Sequence, residues 1–126
     1  MTNYIRVALI LLFAAVLAVV SARAQTTYEG TLVDSKCYLG MGEADNDHGA
    51  MKACGTMCLR GGTPAGLLTK DKQFHALIAP STSLADYVGQ QIRVVGSLHN
   101  GAILAKSVQV NKGGRWEEVK LGGMPG

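Results

Sequence analysis

The chain has little aromatic content, with one Trp, four Tyr and two Phe in 126 residues, and only three Pro and three Cys. Tyr28, Tyr38, Phe74 and Tyr87 are scattered, so they form no row of stacking surfaces of the kind single-strand nucleic-acid binders use. Charge of one sign is not in excess either: twelve Lys and Arg stand against nine Asp and Glu. No nucleic-acid partner is therefore expected. There is no G-x-S-x-G elbow, no P-loop, no H-E-x-x-H and no C-x-x-C. With no catalytic residue set identified, the chain reads as a non-enzymatic protein with no cofactor, a zinc or copper ion being the alternative.

A long apolar run is also missing. Val7 to Val20 is uncharged for fourteen residues, whereas a bilayer-spanning helix needs roughly 20. One Arg precedes the run, and Ser21-Ala22-Arg23-Ala24 ends it on an A-x-A pattern before Gln25. A charged start, a short apolar stretch and a small-residue exit predict a cleaved export signal over residues 1–24. The expected location is periplasmic or secreted, with no stable membrane anchor after cleavage. Losing Arg6 and Arg23 leaves ten basic against nine acidic residues, a nearly neutral chain of 102 residues. That length suits one domain with a modest core.

The rest of the sequence predicts a mainly β domain over residues 25–112, a helical cysteine-bearing insert at about 37–62, and a flexible tail at 113–126. Tyr28–Asp34 is rich in β-formers and ends on Asp34-Ser35, a pair suited to hydrogen-bonding the backbone of the turn that follows. Leu39–Asp47 reads as a polar, glycine-bearing loop. A short helix is expected from about His48 to Leu59, stopped by Gly61-Gly62. Gly66–Thr69 and Gln73–Ala79 flank Lys70-Asp71-Lys72 as a hairpin. Ser83–Tyr87 suits one helical turn. Gln91–Leu98 alternates, with Ile92, Val94, Gly96 and Leu98 on one face. His99-Asn100-Gly101 contains the strongest short hairpin signal, and Ile103–Val110 follows as a partner strand of mixed face. Five strands in this order predict a small OB-like barrel, with a curled antiparallel sheet carrying one covering helix as the alternative. Closure would remove edges that so small a sheet otherwise exposes.

Gly30-Thr31-Leu32-Val33-Asp34-Ser35-Lys36-Cys37, then Cys54-Gly55-Thr56-Met57-Cys58, then Gly89-Gln90-Gln91-Ile92-Arg93-Val94-Val95-Gly96 form a recurring combination. It resembles a family of small exported bacterial proteins of unknown function, patterned G-x-L-x-D-S-x-C, C-x3-C and G-x-x-V-x-V-x-G. The resemblance spans about residues 28 to 110. It implies a fold and an exported location, with the three cysteines matching one for one, and it implies no activity.

Cys37, His48, Cys54 and Cys58 place four soft or borderline donors within 22 residues. Zinc and copper both accept thiolate and imidazole, and thioether suits Cu(I). Cys54 and Cys58, four residues apart on a helix, share one face, and Met51 lies on it too. In an oxidising compartment the same residues are disulfide candidates. A bridge from Cys37 to Cys54 or Cys58 would close a loop of roughly 20 residues and stabilise the domain by about 3 kcal/mol, leaving one thiol over. The favoured reading is a non-catalytic exported binding or accessory domain stapled by one disulfide, with an unidentified protein or small ligand as partner. The alternative is a periplasmic soft-metal or thiol-redox protein using Cys37, Cys54, Cys58 and His48. His75 and His99 read as surface histidines, and Met41, Met51 and Met57 as packing residues. Asp34-Ser35-Lys36-Cys37 sets an acid, a hydroxyl, an amine and a thiol side by side, but adjacency is poor evidence for a shared site, because sequence neighbours on a strand point to opposite faces.

Overall fold

The computed structural model describes residues 25–41 and 52–123, together with Met1 and Tyr4. The rest of residues 1–24, where a cleaved signal is expected, lies outside the described residues, as do His48 and Met51. The chain runs β1 (Thr26–Asp34), α1 (Ser35–Met41), α2 (Lys52–Arg60), β2 (Ala65–Leu68), β3 (Phe74–Ile78) and α3 (Ser81–Leu84). A 3-10 turn (Ala85–Tyr87), β4 (Gln91–His99), β5 (Ala102–Lys112) and β6 (Arg115–Glu118) follow. The protein is mainly β, as its alternating and β-branched segments predict. The strands form one sheet in the order β3-β2-β1-β4-β5-β6, antiparallel throughout. In addition, β3 pairs with β5 in parallel through Ala76↔Ala102, Leu77↔Ile103 and Ile78↔Leu104, linking the two flanks of the sheet.

β1 belongs to two pairings. Its first half, Thr26–Thr31, runs against β4, and its second, Thr31–Asp34, against β2. The switch falls beside Gly30, where an added Cβ would lie 2.3 Å from the Leu68 carbonyl oxygen. A side chain there would push the two strands apart. Inside the curl lies an aliphatic core that includes Leu32, Leu67, Leu77, Ile92, Val94, Ile103, Val108 and Val110. Leu84 and Val88, from the segment between β3 and β4, cap it. Each side chain of Leu size buried this way contributes roughly 2–3 kcal/mol of transfer free energy.

Three expectations are corrected. First, the described residues form six strands rather than five, and the segment expected to be a flexible tail contains the sixth. Gly113 and Gly114, with φ of 62° and 89°, turn the chain back. β6 then pairs with the end of β5, and Val119 donates its N–H to the Val108 carbonyl and enters the core. Arg93 bonds Glu29 and lies 4.2 Å over the Trp116 ring, which holds β6 against the sheet. Second, Leu98 does not share the buried face of Ile92 and Val94; it is exposed. The β4–β5 register slips at Val95/Gly96, so β5 carries an extra residue there. Buried positions accordingly change parity along β5, from Ile103 and Ala105 to Val108 and Val110. That bulge is the physical reason for the mixed face. Third, the loop expected at Leu39–Asp47 overlaps helix α1, which runs Ser35–Met41, and residues 42–47 lie outside the described residues.

A candidate three-thiol metal centre

Asp34 ends β1 fully buried, and its Oδ1 accepts the backbone N–H of Cys37 at 2.8 Å. This is an N-cap: a side-chain oxygen satisfies a donor of the first turn that has no partner within the helix. It starts α1 directly off the strand. Ser35 N–H donates to the Pro64 carbonyl, tying the start of α1 to the segment that leaves α2. The next residue, Tyr38, stacks on Phe74 with ring centroids 5.1 Å apart and planes 9° apart, within a small cluster with Val33 and Leu68. Cys37 is thereby held between a cap and an aromatic anchor, 8% exposed.

The second helix is fixed differently. Gly55 and Leu59, four residues apart, make its buried stripe, and Leu59 enters the main core. Its end is a Schellman closure. Thr63 N–H donates to the Cys58 carbonyl, Gly62 N–H donates to the Leu59 carbonyl, and Gly62 adopts φ 91°. The Gly61-Gly62 stop therefore lies where the sequence predicts. Cys54 and Cys58 flank the buried stripe on the side that faces α1.

The result is a cluster of three sulfurs. Cys37 Sγ and Cys54 Sγ are 3.7 Å apart, and all three Sγ atoms lie within 4.8 Å of one another. Burial increases from Cys54, exposed, through Cys58, half-buried, to Cys37. No disulfide joins them, since a covalent S–S bond is about 2.05 Å long. The disulfide expected from Cys37 to Cys54 or Cys58 is therefore not formed; the two helices bring the sulfurs to contact distance and stop there. Burial pushes the Cys37 thiol up to about 12, and the Cys54 sulfur and the Asp34 carboxylate beside it act in the same direction. A bound cation would reverse that preference, because a metal deprotonates the thiols that ligate it.

Asp34 hydrogen-bonds the backbone of the turn that leaves β1, the role its place in the sequence implies, and the same turn sets its carboxylate beside the Cys37 thiol. Adjacency along a strand separates side chains, but the strand ends at Asp34, and three residues on is one helical turn. The signal was present as an Asp followed three residues later by Cys, the spacing of a cap. His48, the fourth candidate ligand, lies outside the described residues, so the described donor set is sulfur alone. Met41 and Met57 are not packing residues as expected, with Met57 73% exposed. His75 is half-buried, with Nδ1 3.1 Å from the Gly101 carbonyl, and exposed His99 has Nε2 3.1 Å from Ser97 Oγ. Neither reaches the thiols. An open hollow of about 590 Å³ is lined by Lys52, Ala53, Thr56, Met57 and Arg60. At about 100° per residue these positions lie on the far side of α2 from Cys54 and Cys58. The hollow is therefore not an entrance to the thiols.

No family model matches this chain, and no curated protein or solved structure matches it.

Proposed function

We propose that this chain is an exported domain that holds one soft metal ion, Cu(I), through the thiolates of Cys37, Cys54 and Cys58. The observation that carries the reading is the 3.7 Å separation of two sulfurs on different helices, with a third in the same cluster. Metal–sulfur bonds of about 2.3 Å at tetrahedral or trigonal angles place co-ligands about 3.8–4.0 Å apart. The cluster thus stands near ligating separation before any ion arrives. Sulfur-only donors select Cu(I), zinc or iron–sulfur clusters, and structural zinc is almost always four-coordinate. Three thiolates match Cu(I) without a further partner. The negative charge of Asp34 next to the cluster adds to the attraction for a cation. The export segment at residues 1–24 supports a location outside the cytoplasm, where an exposed Cys54 can take up ions directly. No catalytic step is assigned to this site.

The test is an anaerobic titration of the reduced full-length chain with Cu(I) against a coloured Cu(I) chelator, followed by X-ray absorption of the loaded protein. One Cu(I) per chain with sulfur-only neighbours is expected, with capture lost in Cys54→Ser. Nitrogen in the coordination shell, or zinc held in preference and released by His48→Ala, would move the site to a four-coordinate zinc centre. Absence of stoichiometric metal would end the reading.

A further inference from the structure

We propose that Cys54 and Cys37 also form a dithiol pair that exchanges with small-molecule disulfides, and that closing this bond dismantles the metal site. The second half rests on the metal reading; the first stands without it. Three features of the cluster support the pairing. The sulfurs of Cys37 and Cys54 are already 3.7 Å apart, so a bond requires an approach of about 1.7 Å. That movement is within reach of side-chain rotation at exposed Cys54. The competing pair, Cys54 and Cys58, sits at i, i+4 on one helix, where Cβ atoms are about 5–6 Å apart. A disulfide needs them at about 3.5–4.5 Å, so that ring cannot close without unwinding α2. Exposure then sets the order of events. An incoming disulfide meets Cys54, on the surface, before Cys37, which is 8% exposed.

The chemistry balances as two successive exchanges. The Cys54 thiolate, its proton released to solvent, attacks one sulfur of a disulfide RSSR. The S–S bond of RSSR breaks, a mixed disulfide forms on Cys54, and RS⁻ leaves and is protonated. The Cys37 sulfur then attacks Cys54 Sγ. The Cys37–Cys54 bond forms, and the second R group leaves as RSH, taking the proton that Cys37 loses. Two cysteines are oxidised by two electrons, RSSR is reduced to two RSH, and Cys58 remains a thiol. Two of the three metal ligands are consumed, so oxidation and metal loading exclude one another.

The experiment treats the reduced, chelator-stripped full-length chain with oxidised glutathione, alkylates the remaining thiols and maps tryptic peptides by mass spectrometry. Trypsin separates Cys37–Lys52 from Ala53–Arg60, the peptide that carries both other cysteines. The expected product is a cross-link between these two peptides through Cys54, with Cys58 alkylated. A loop within Ala53–Arg60, a cross-link through Cys58, or glutathione persisting on Cys54 would each overturn the pairing. Cys58→Ser should form the bond within about twofold of the wild-type rate, since it removes neither partner. Failure of Cys58→Ser to form it overturns the assignment even if Cys37 variants do not fold. For the second half, the oxidised chain should capture Cu(I) at least about tenfold less well than the reduced chain, with recovery after reduction. Unchanged capture by a chain with the mapped bond refutes the exclusion and leaves the exchange standing. A reduced chain that never binds Cu(I) fails the metal reading, and with it the exclusion, while the cross-link still decides the exchange.

Discussion

Leu59 and Met57, two residues apart on α2, provide an internal comparison that tests how the cysteine-bearing helix is held. Leu59 is fully buried in the main core, whereas Met57 is 73% exposed. Replacing Leu59 with Ala removes apolar surface from a packed site and leaves a cavity, at a cost of about 2–5 kcal/mol. Leu59 belongs to a core cluster built largely from strand residues, and a site of that kind relaxes only in part, so about 3 kcal/mol is expected. A domain of this size has about 5–15 kcal/mol of stability in all. With a urea m value of about 1.5 kcal/mol/M, the midpoint should fall by about 2 M. Met57→Ala, a surface change on the same helix, should stay within about 0.5 kcal/mol of wild type. The assay is equilibrium urea unfolding of both variants followed by far-ultraviolet circular dichroism, in reducing, metal-free buffer. A cost for Leu59→Ala below about 1 kcal/mol, or equal to that of Met57→Ala, would refute the docking of α2 through its Gly55–Leu59 stripe. The account of how Cys54 and Cys58 reach Cys37 would then fail as well.

Asp34→Ala removes the cap on Cys37 N–H and should cost about 1 kcal/mol in thermal or urea unfolding. Asp34→Asn keeps an acceptor and should cost less, while bringing the Cys37 titration, followed by thiolate absorbance, below about 12; equal unfolding of both variants and wild type contradicts the cap. Cys37 holds its proton more tightly folded, at about 12, than at its ordinary 9.0, so its contribution is complete below pH 9 and lost as pH rises toward 12. The stability difference between metal-free wild type and Cys37→Ala should shrink over that window, and a constant difference argues against the burial effect. Gly96 sits at the β5 bulge, where a Cβ would lie 2.2 Å from the Leu104 carbonyl oxygen. Gly96→Ala should therefore destabilise by about 3 kcal/mol in urea unfolding, and a neutral outcome would show that the two strands separate easily.

Signals confined to a few neighbouring residues carried most of the fold. Asn100-Gly101 takes φ of 48° and 83°, as a two-residue hairpin requires, and Gly61-Gly62 closes α2 as its dipeptide implies. Gly113-Gly114 is the same kind of turn signal, but it sits in a glycine-rich end, and composition outweighed the dipeptide. The β5 bulge left only a mixed alternation in the sequence, because parity changes where the partner strand skips a residue. At the site, the three cysteines were legible as donors. Their convergence was not, because it depends on α1, whose seven residues carry no apolar period long enough to read. Asp34 divides the same way: its bond to the backbone of the following turn was legible from an acid at a strand end, whereas its place beside the Cys37 thiol depends on the helical turn that follows.

The distance between Cys37 and Cys54 is set by two anchors that share no residue. α1 is fixed by the Asp34 cap and the Tyr38–Phe74 stack, and α2 by Leu59 in the main core. The Arg60–Asp86 ion pair also ties α2 to the 3-10 turn, but both side chains are well exposed, so it contributes less than about 1 kcal/mol. The sulfurs therefore meet at the seam between two separately stabilised units, joined by the chain from residue 37 to 54. Anything that links the seam restricts that chain when the protein unfolds. A covalent bond between residues 17 apart is worth about 3 kcal/mol on chain entropy, and a bound ion adds its own binding energy to folding. On this argument the reduced, metal-free chain is the least stable of the three states, and the thiol cluster is a joint that either ligation or oxidation can lock.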